Sequence, residues 1–265
     1  MDIFRILLTQ PLTNLLIFIF AILPGHDFGI SIIILTAIIR FALWPVFGKQ
    51  LHSQRKLQKL QPEIAKIKSQ AGGDKQKESK MLMELYKEKE VSPFSSCLPL
   101  VIQFPFLIAL FFVFSQGSAD FAKNVSLLYT PVKNLAYIKE LIADPALFKP
   151  ALFGVISMAK PSIALAILAG ITQFIQTKMI TPKQKGKLDA QTKAVNSMTM
   201  LFPLITVVIA WGLPAALPLY WTVTTLIAIF QQWLVMHYEV DQMEKIPLHK
   251  KIINRLKRNK NEKKA

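Results

Sequence analysis

The chain has 265 residues, 52% of them hydrophobic, with a mean hydropathy of +0.37 and a formal net charge of +16. Several apolar runs reach the roughly 20 residues that cross a bilayer as a helix, which argues against a soluble domain and for a polytopic helical membrane protein. The shorter, alternating segments of a closed β-barrel are absent, and the single cysteine, Cys97, excludes an intramolecular disulfide or a multi-cysteine metal site.

The first 24 residues, MDIFRILLTQPLTNLLIFIFAILP, carry Arg5 as their only cation and no small-residue cleavage site after the apolar run. Pro11 is expected to interrupt the run and leave a short apolar piece. The segment therefore reads as an interfacial helix, with a true span as the other reading. Five spans are expected next, at residues 28–48, 94–116, 161–177, 195–213 and 215–236. Cys97, at the start of the second, reads as a small buried hydrophobe. GLPAALP separates the last two spans and predicts a tight hairpin.

The loops differ in charge. Residues 49–93 hold 11 Lys/Arg, residues 178–194 hold 5 and residues 237–265 hold 9, so 25 of the 32 cations fall on one side of the membrane. The positive-inside rule makes that side cytoplasmic and puts the N-terminus outside. Within 49–93, Leu57, Leu60, Ile64 and Ile67 form one apolar helical stripe, and Met81, Leu82, Leu85 and Tyr86 form a second. Ala71-Gly72-Gly73 breaks the pattern and Asp74 is suited to cap the second helix, so a helical hairpin is expected, with Pro62 kinking its first arm. The tail, residues 239–265, is basic. Its Lys250, Lys251, Arg255, Lys257 and Arg258 suit anionic lipid or the RNA of a ribosome equally well.

Chemistry of the enzymatic kind has no foothold. His26, His52, His237 and His249 lack metal-ligand spacing, and no phosphate loop, dinucleotide fingerprint or nucleophile elbow occurs. No cofactor is expected. What stands out is Arg40, the only charge inside the five expected spans, none of which holds an Asp or Glu. A central arginine costs roughly 2.5–3.5 kcal/mol on insertion scales. It is eight residues from Gly48, about 12 Å along a straight helix, which is too far for comfortable snorkelling. Thr36 shares its face at i−4. Gln103 lies in the second span and Gln173, Gln176 and Thr177 in the third. Tyr220, Trp221, Thr222, Thr225, Gln231 and Gln232 lie in the fifth. Each amide alone suits helix-to-helix bonding; jointly they could hold water around a cation, and Pro45 would free the carbonyl of Phe41 for the same purpose.

These residues resemble the YidC family of membrane protein insertases. The likeness rests on GISIIILTAIIRFALWP, LQPEIAKIK, PFSSCLPLVIQFPFLIALF, AKPSIALAILAGITQFIQTKM and LPAALPLYWTVTTLIAIFQQWL, found in that order, and the resemblance runs from about residue 10 to 238. The resemblance implies an all-α polytopic membrane protein with five transmembrane helices around a hydrophilic groove open to cytoplasm and lipid. It implies an insertase core over residues 25–238, including a cytoplasmic hairpin at 49–93 that receives substrate. Arg40 would be the groove arginine, with Thr36, Gln173 or Gln176, and Trp221 as its polar neighbours. The implied partners are nascent membrane proteins, the phospholipid bilayer and the Sec translocon. The implied role is insertion in the bacterial plasma membrane without ATP hydrolysis, and not an enzyme. Neither a large extracytoplasmic domain before the first span nor a lipoprotein cysteine is expected, as in a compact bacterial member. The competing reading is a small-anion transporter that binds through Arg40, for which inverted repeats with broken helices would be expected.

Overall fold

The computed structural model describes residues 2–89, 91–92, 98–117, 121, 125–181 and 190–244. Cys97 and the basic tail from Lys245 onward lie outside the described residues. The chain is mostly helical and divides into two compact units, Met1–Ile229 and Phe230–Ala265.

In the first unit, a helical turn (Asp2–Phe4) and a π-helical turn (Arg5–Thr9) lead without a break into helix α1, Gln10–Ile22. Pro11 does not interrupt this run. The π-turn directly before it, in which Gln10 N–H reaches back to the Arg5 carbonyl, widens the helix for the ring and keeps helical dihedrals at Phe4, Thr9 and Gln10. The stretch Arg5–Ile22 is therefore long and apolar enough to cross a membrane. It is also an integral part of the core, through Leu12, Leu16, Ile17 and Phe20.

Helix α2, Phe28–Ala42, starts at Asp27, whose carboxylate accepts the N–H of Ile30 at 2.8 Å. The segment 28–48, expected as the first span, is not one continuous helix. The chain breaks at Leu43 and re-enters helix α3, Trp44–Ala71, at an angle of 66°. Pro45 explains the position of the break: it stands in the first turn of α3 and cannot donate back into α2.

Helix α3 runs on through Pro62 and ends at Gly72, which with Gly73 takes the left-handed conformation that favours glycine (φ +60° and +92°). Helix α4, Lys75–Glu88, is capped by Asp74, which accepts the N–H groups of Gln76 and Lys77 at 2.9 and 3.1 Å. The two arms share a small core of Leu57, Leu60, Ile64, Leu85 and Val91.

Helix α5, Leu98–Gly117, and the short helix α6, Ala136–Ala143, complete the main core with α1 and α2. A two-residue ladder follows, β1 (Ala151–Leu152) antiparallel to β2 (Ile156–Ser157). β1 presses on the first turn of α2: a Cβ on Gly29 would lie 2.9 Å from the Cα of Leu152, so only glycine fits there. Helix α7, Ile163–Ile180, and helix α8, Ala190–Trp211, meet at Gly170, where a Cβ would stand 2.2 Å from Val207 Cγ2 and 3.3 Å from the Pro203 carbonyl.

The turn from α8 into helix α9, Ala216–Glu244, is stitched to the segment before α7, with Ala215 N–H on Lys160 O at 2.9 Å and Ala216 N–H on Met158 O at 3.2 Å. α9 passes into the second unit, where the Phe230 and Trp233 rings stack at 6.2 Å.

Two described helices are long and apolar enough to cross a membrane, Arg5–Ile22 and Ile163–Ile180, and a third is added if the bent α2–α3 pair counts as one span. Shorter apolar stretches, Gln103–Phe114 and Ser197–Trp211, lie in α5 and α8.

Candidate functional site

Arg40 lies in the last turn of α2, so the break at Leu43 and not Gly48 ends its helix. Its distance from Gly48 therefore says nothing of its depth. The side chain is nonetheless buried, 7% exposed. Its Nη2 donates to the backbone carbonyl of Thr224 at 3.0 Å, and the guanidinium carbon stands 4.2 Å from the centroid of the Phe47 ring. Its Nε has no hydrogen-bond partner among the described residues. The neighbours that hold this cation are a carbonyl oxygen and an aromatic face, both neutral. Its position at the C-terminus of α2 adds the favourable end of a helix dipole, a modest effect.

The bend brings Phe47 to this place. In a straight helix Phe47 would stand about 10 Å farther along the axis than Arg40, out of ring contact. Sequence reading missed Phe47 for that reason. It missed Thr224 because the contact is to main chain, and a carbonyl with a second free lone pair leaves no mark in the sequence.

The expected neighbours divide into groups. Tyr220 is buried, accepts a hydrogen bond from Gln103 Nε2, and lies within electrostatic reach of Arg40. Thr36 is buried on the Arg40 face of α2, but its hydroxyl donates to the Ile32 carbonyl at 2.6 Å and is satisfied within its own helix. Thr172, Thr206 and Thr222 do likewise at Leu168, Phe202 and Pro218. The hydroxyl hydrogens of these four threonines are used within their own helices, whereas Thr224 Oγ1 is buried without a partner among the described residues.

Trp221 is half-buried against the main core, and Gln173 and Gln176 are half-buried on α7; the hydrogen bond and the ring contact of Arg40 are made by Thr224 and Phe47. Thr177 and Thr225 are buried. Gln231 and Gln232 fall in the second unit, where both are buried and both amide atoms of Gln231 lack partners among the described residues.

The sequence profile of the 60Kd inner membrane protein family matches residues 19–243. A relative from Fusobacterium nucleatum named membrane protein insertase YidC is 35% identical over 210 residues, which cover 79% of this chain and 86% of that protein. One of the same name from Clostridium tetani is 34% identical over 218 residues, covering 82% and 84%. A protein from Bacillus anthracis named membrane protein insertase YidC 2 is 31% identical over 234 residues, covering 87% and 80%. These relatives are bacterial, and together with the apolar helices they put this chain in a bacterial membrane. Matched over most of its own length and most of theirs, the chain belongs to the 60Kd inner membrane protein family, that of the YidC membrane protein insertases.

Proposed function

We propose that the chain inserts newly made membrane proteins through a polar groove centred on Arg40, with five spans, an outside N-terminus and a cytoplasmic hairpin. The observation that carries this reading is the burial of Arg40 against neutral groups, with no carboxylate beside it among the described residues. A buried cation without a counter-charge is costly unless water or a visiting anion completes it. The acidic residues of a client's tail or hairpin loop supply that anion. Once the tail is held, the client's apolar segment moves sideways into lipid, and its burial there drives the step without ATP. The family membership and the names of the relatives support the same reading.

In this reading the hairpin of α3 and α4 receives the client, which is supported by α3 following directly on the Arg40 turn. The basic tail, in the same reading, holds a ribosome or anionic lipid, and a Sec translocon is a further partner. The test is a purified, unfolded single-span client offered to vesicles containing only this chain. The reading predicts insertion without nucleotide. Flux of a small anion without insertion would instead favour a transporter and overturn it.

A further inference from the structure

The first arm of the hairpin carries polar side chains for which the Arg40 reading has no task. Gln50 and Gln54 stand one turn apart on α3, on the face that also bears Phe47. They are 5% and 8% exposed, and the amide oxygen of each has no hydrogen-bond partner among the described residues. An acceptor buried without a donor costs free energy, so apolar packing does not explain the pair. One turn farther, Gln58 donates through Nε2 to the carbonyl of Ile180, the last residue of α7. Positions 50, 54 and 58 thus form a row on one helix face. It begins beside Phe47, which lies over Arg40, and runs toward the end of α7.

Among the described residues, Gln50 and Gln54 lack donors and Arg40 Nε lacks an acceptor. Four residues of α-helix advance about 6 Å. In an extended chain the N–H groups on one edge recur every second residue, about 6.6 Å apart. The two repeats agree within what a glutamine side chain can absorb. An extended peptide that carries a carboxylate supplies both missing partners.

We propose that Gln50 and Gln54 form a track that accepts main-chain N–H groups of an extended client tail and leads its acidic side chain to Arg40. This rests on Arg40 being the client's site. The two parts divide the recognition. Main-chain contacts hold any extended tail, and the arginine favours acidic ones.

The test uses vesicles containing only this chain, with synthetic single-span clients whose tails are acidic or neutral, each also prepared with alternate tail nitrogens methylated. The double variant Gln50→Leu/Gln54→Leu keeps the volume and removes the acceptors. It should slow acidic and neutral tails alike, by about tenfold for two lost hydrogen bonds. Methylation should slow the wild type to the same degree and the double variant no further. Wild-type rates in the double variant would overturn the track, as would methylation slowing both proteins equally, which means that water fills the row.

Arg40→Ala, run alongside, separates the two ideas. If it leaves the acidic-to-neutral ratio unchanged, the Arg40 reading has failed whatever the glutamines do. Should the double variant fold poorly, Gln50→Cys and Gln54→Cys are tested singly with Cys97→Ser. Each should form a disulfide with a client-tail cysteine, the two tail positions lying two residues apart. Absence of that register overturns the proposal.

Discussion

Asn14 and Arg40 are buried to nearly the same degree, 5% and 7% exposed, and their surroundings differ in kind. Asn14 donates to the carbonyls of Gln10 and Leu127 at 2.8 and 2.9 Å and accepts from the N–H of Tyr129 at 2.6 Å. Asp27 likewise caps α2 with one carboxylate oxygen and takes the N–H of Phe153 at 2.5 Å with the other. Around Arg40, by contrast, Nε and the amide oxygens of Gln50 and Gln54 have no partners among the described residues. Asn14 uses buried polarity to fasten a loop to a helix, and the partly exposed Asp27 ties the turn after β1 to the start of α2. The region around Arg40 holds polarity that the described residues do not satisfy. Satisfied polar groups stabilise a single structure, and unsatisfied ones favour an occupant.

Substitutions can break this contrast. Asn14→Leu should have the largest effect, because it leaves the Leu127 carbonyl and the Tyr129 N–H without their partner. The expected loss is roughly 2–3 kcal/mol of stability, read from thermal unfolding in detergent. An unchanged unfolding temperature would show that the loop is not held there. Arg40→Met should have the smallest effect on the same measurement, within about 1 kcal/mol of wild type or slightly stabilising, since it removes a buried charge that has no counter-charge. A large loss on Arg40→Met would mean that the arginine is a structural pin like Asn14, and the contrast would vanish.

The sequence made the helical, membrane-embedded character of the chain legible through its long apolar runs. The stripe of Leu57, Leu60 and Ile64 and the residues Asp74, Gly72 and Gly73 are seen in the structure as a small core, a cap and a left-handed turn. Arg40 was conspicuous for the simplest reason, a charge among apolar residues. The geometry around it was not legible, because it depends on a 66° bend. Pro45 gives a reason for a break but not its angle, and only the angle carries Phe47 onto Arg40. Pro11 misled in the opposite direction: a π-turn ahead of it let the helix continue, and nothing in the local residue types announces such a turn. Nor does residue type announce where a hydroxyl goes: Thr36 and Thr222 return their hydrogens to the carbonyl one turn back.

The central claim is that Arg40 is kept without a counter-charge so that a client's acidic group can fill that place. The most direct measurement is the ratio of insertion rates for acidic-tailed and neutral-tailed versions of one client, in vesicles containing wild type, Arg40→Lys or Arg40→Ala. Charge at the site should matter more than the guanidinium shape, so wild type and Arg40→Lys should both favour the acidic tail, and Arg40→Ala should bring the ratio to about one. The same preference for acidic tails in all three proteins would contradict the claim.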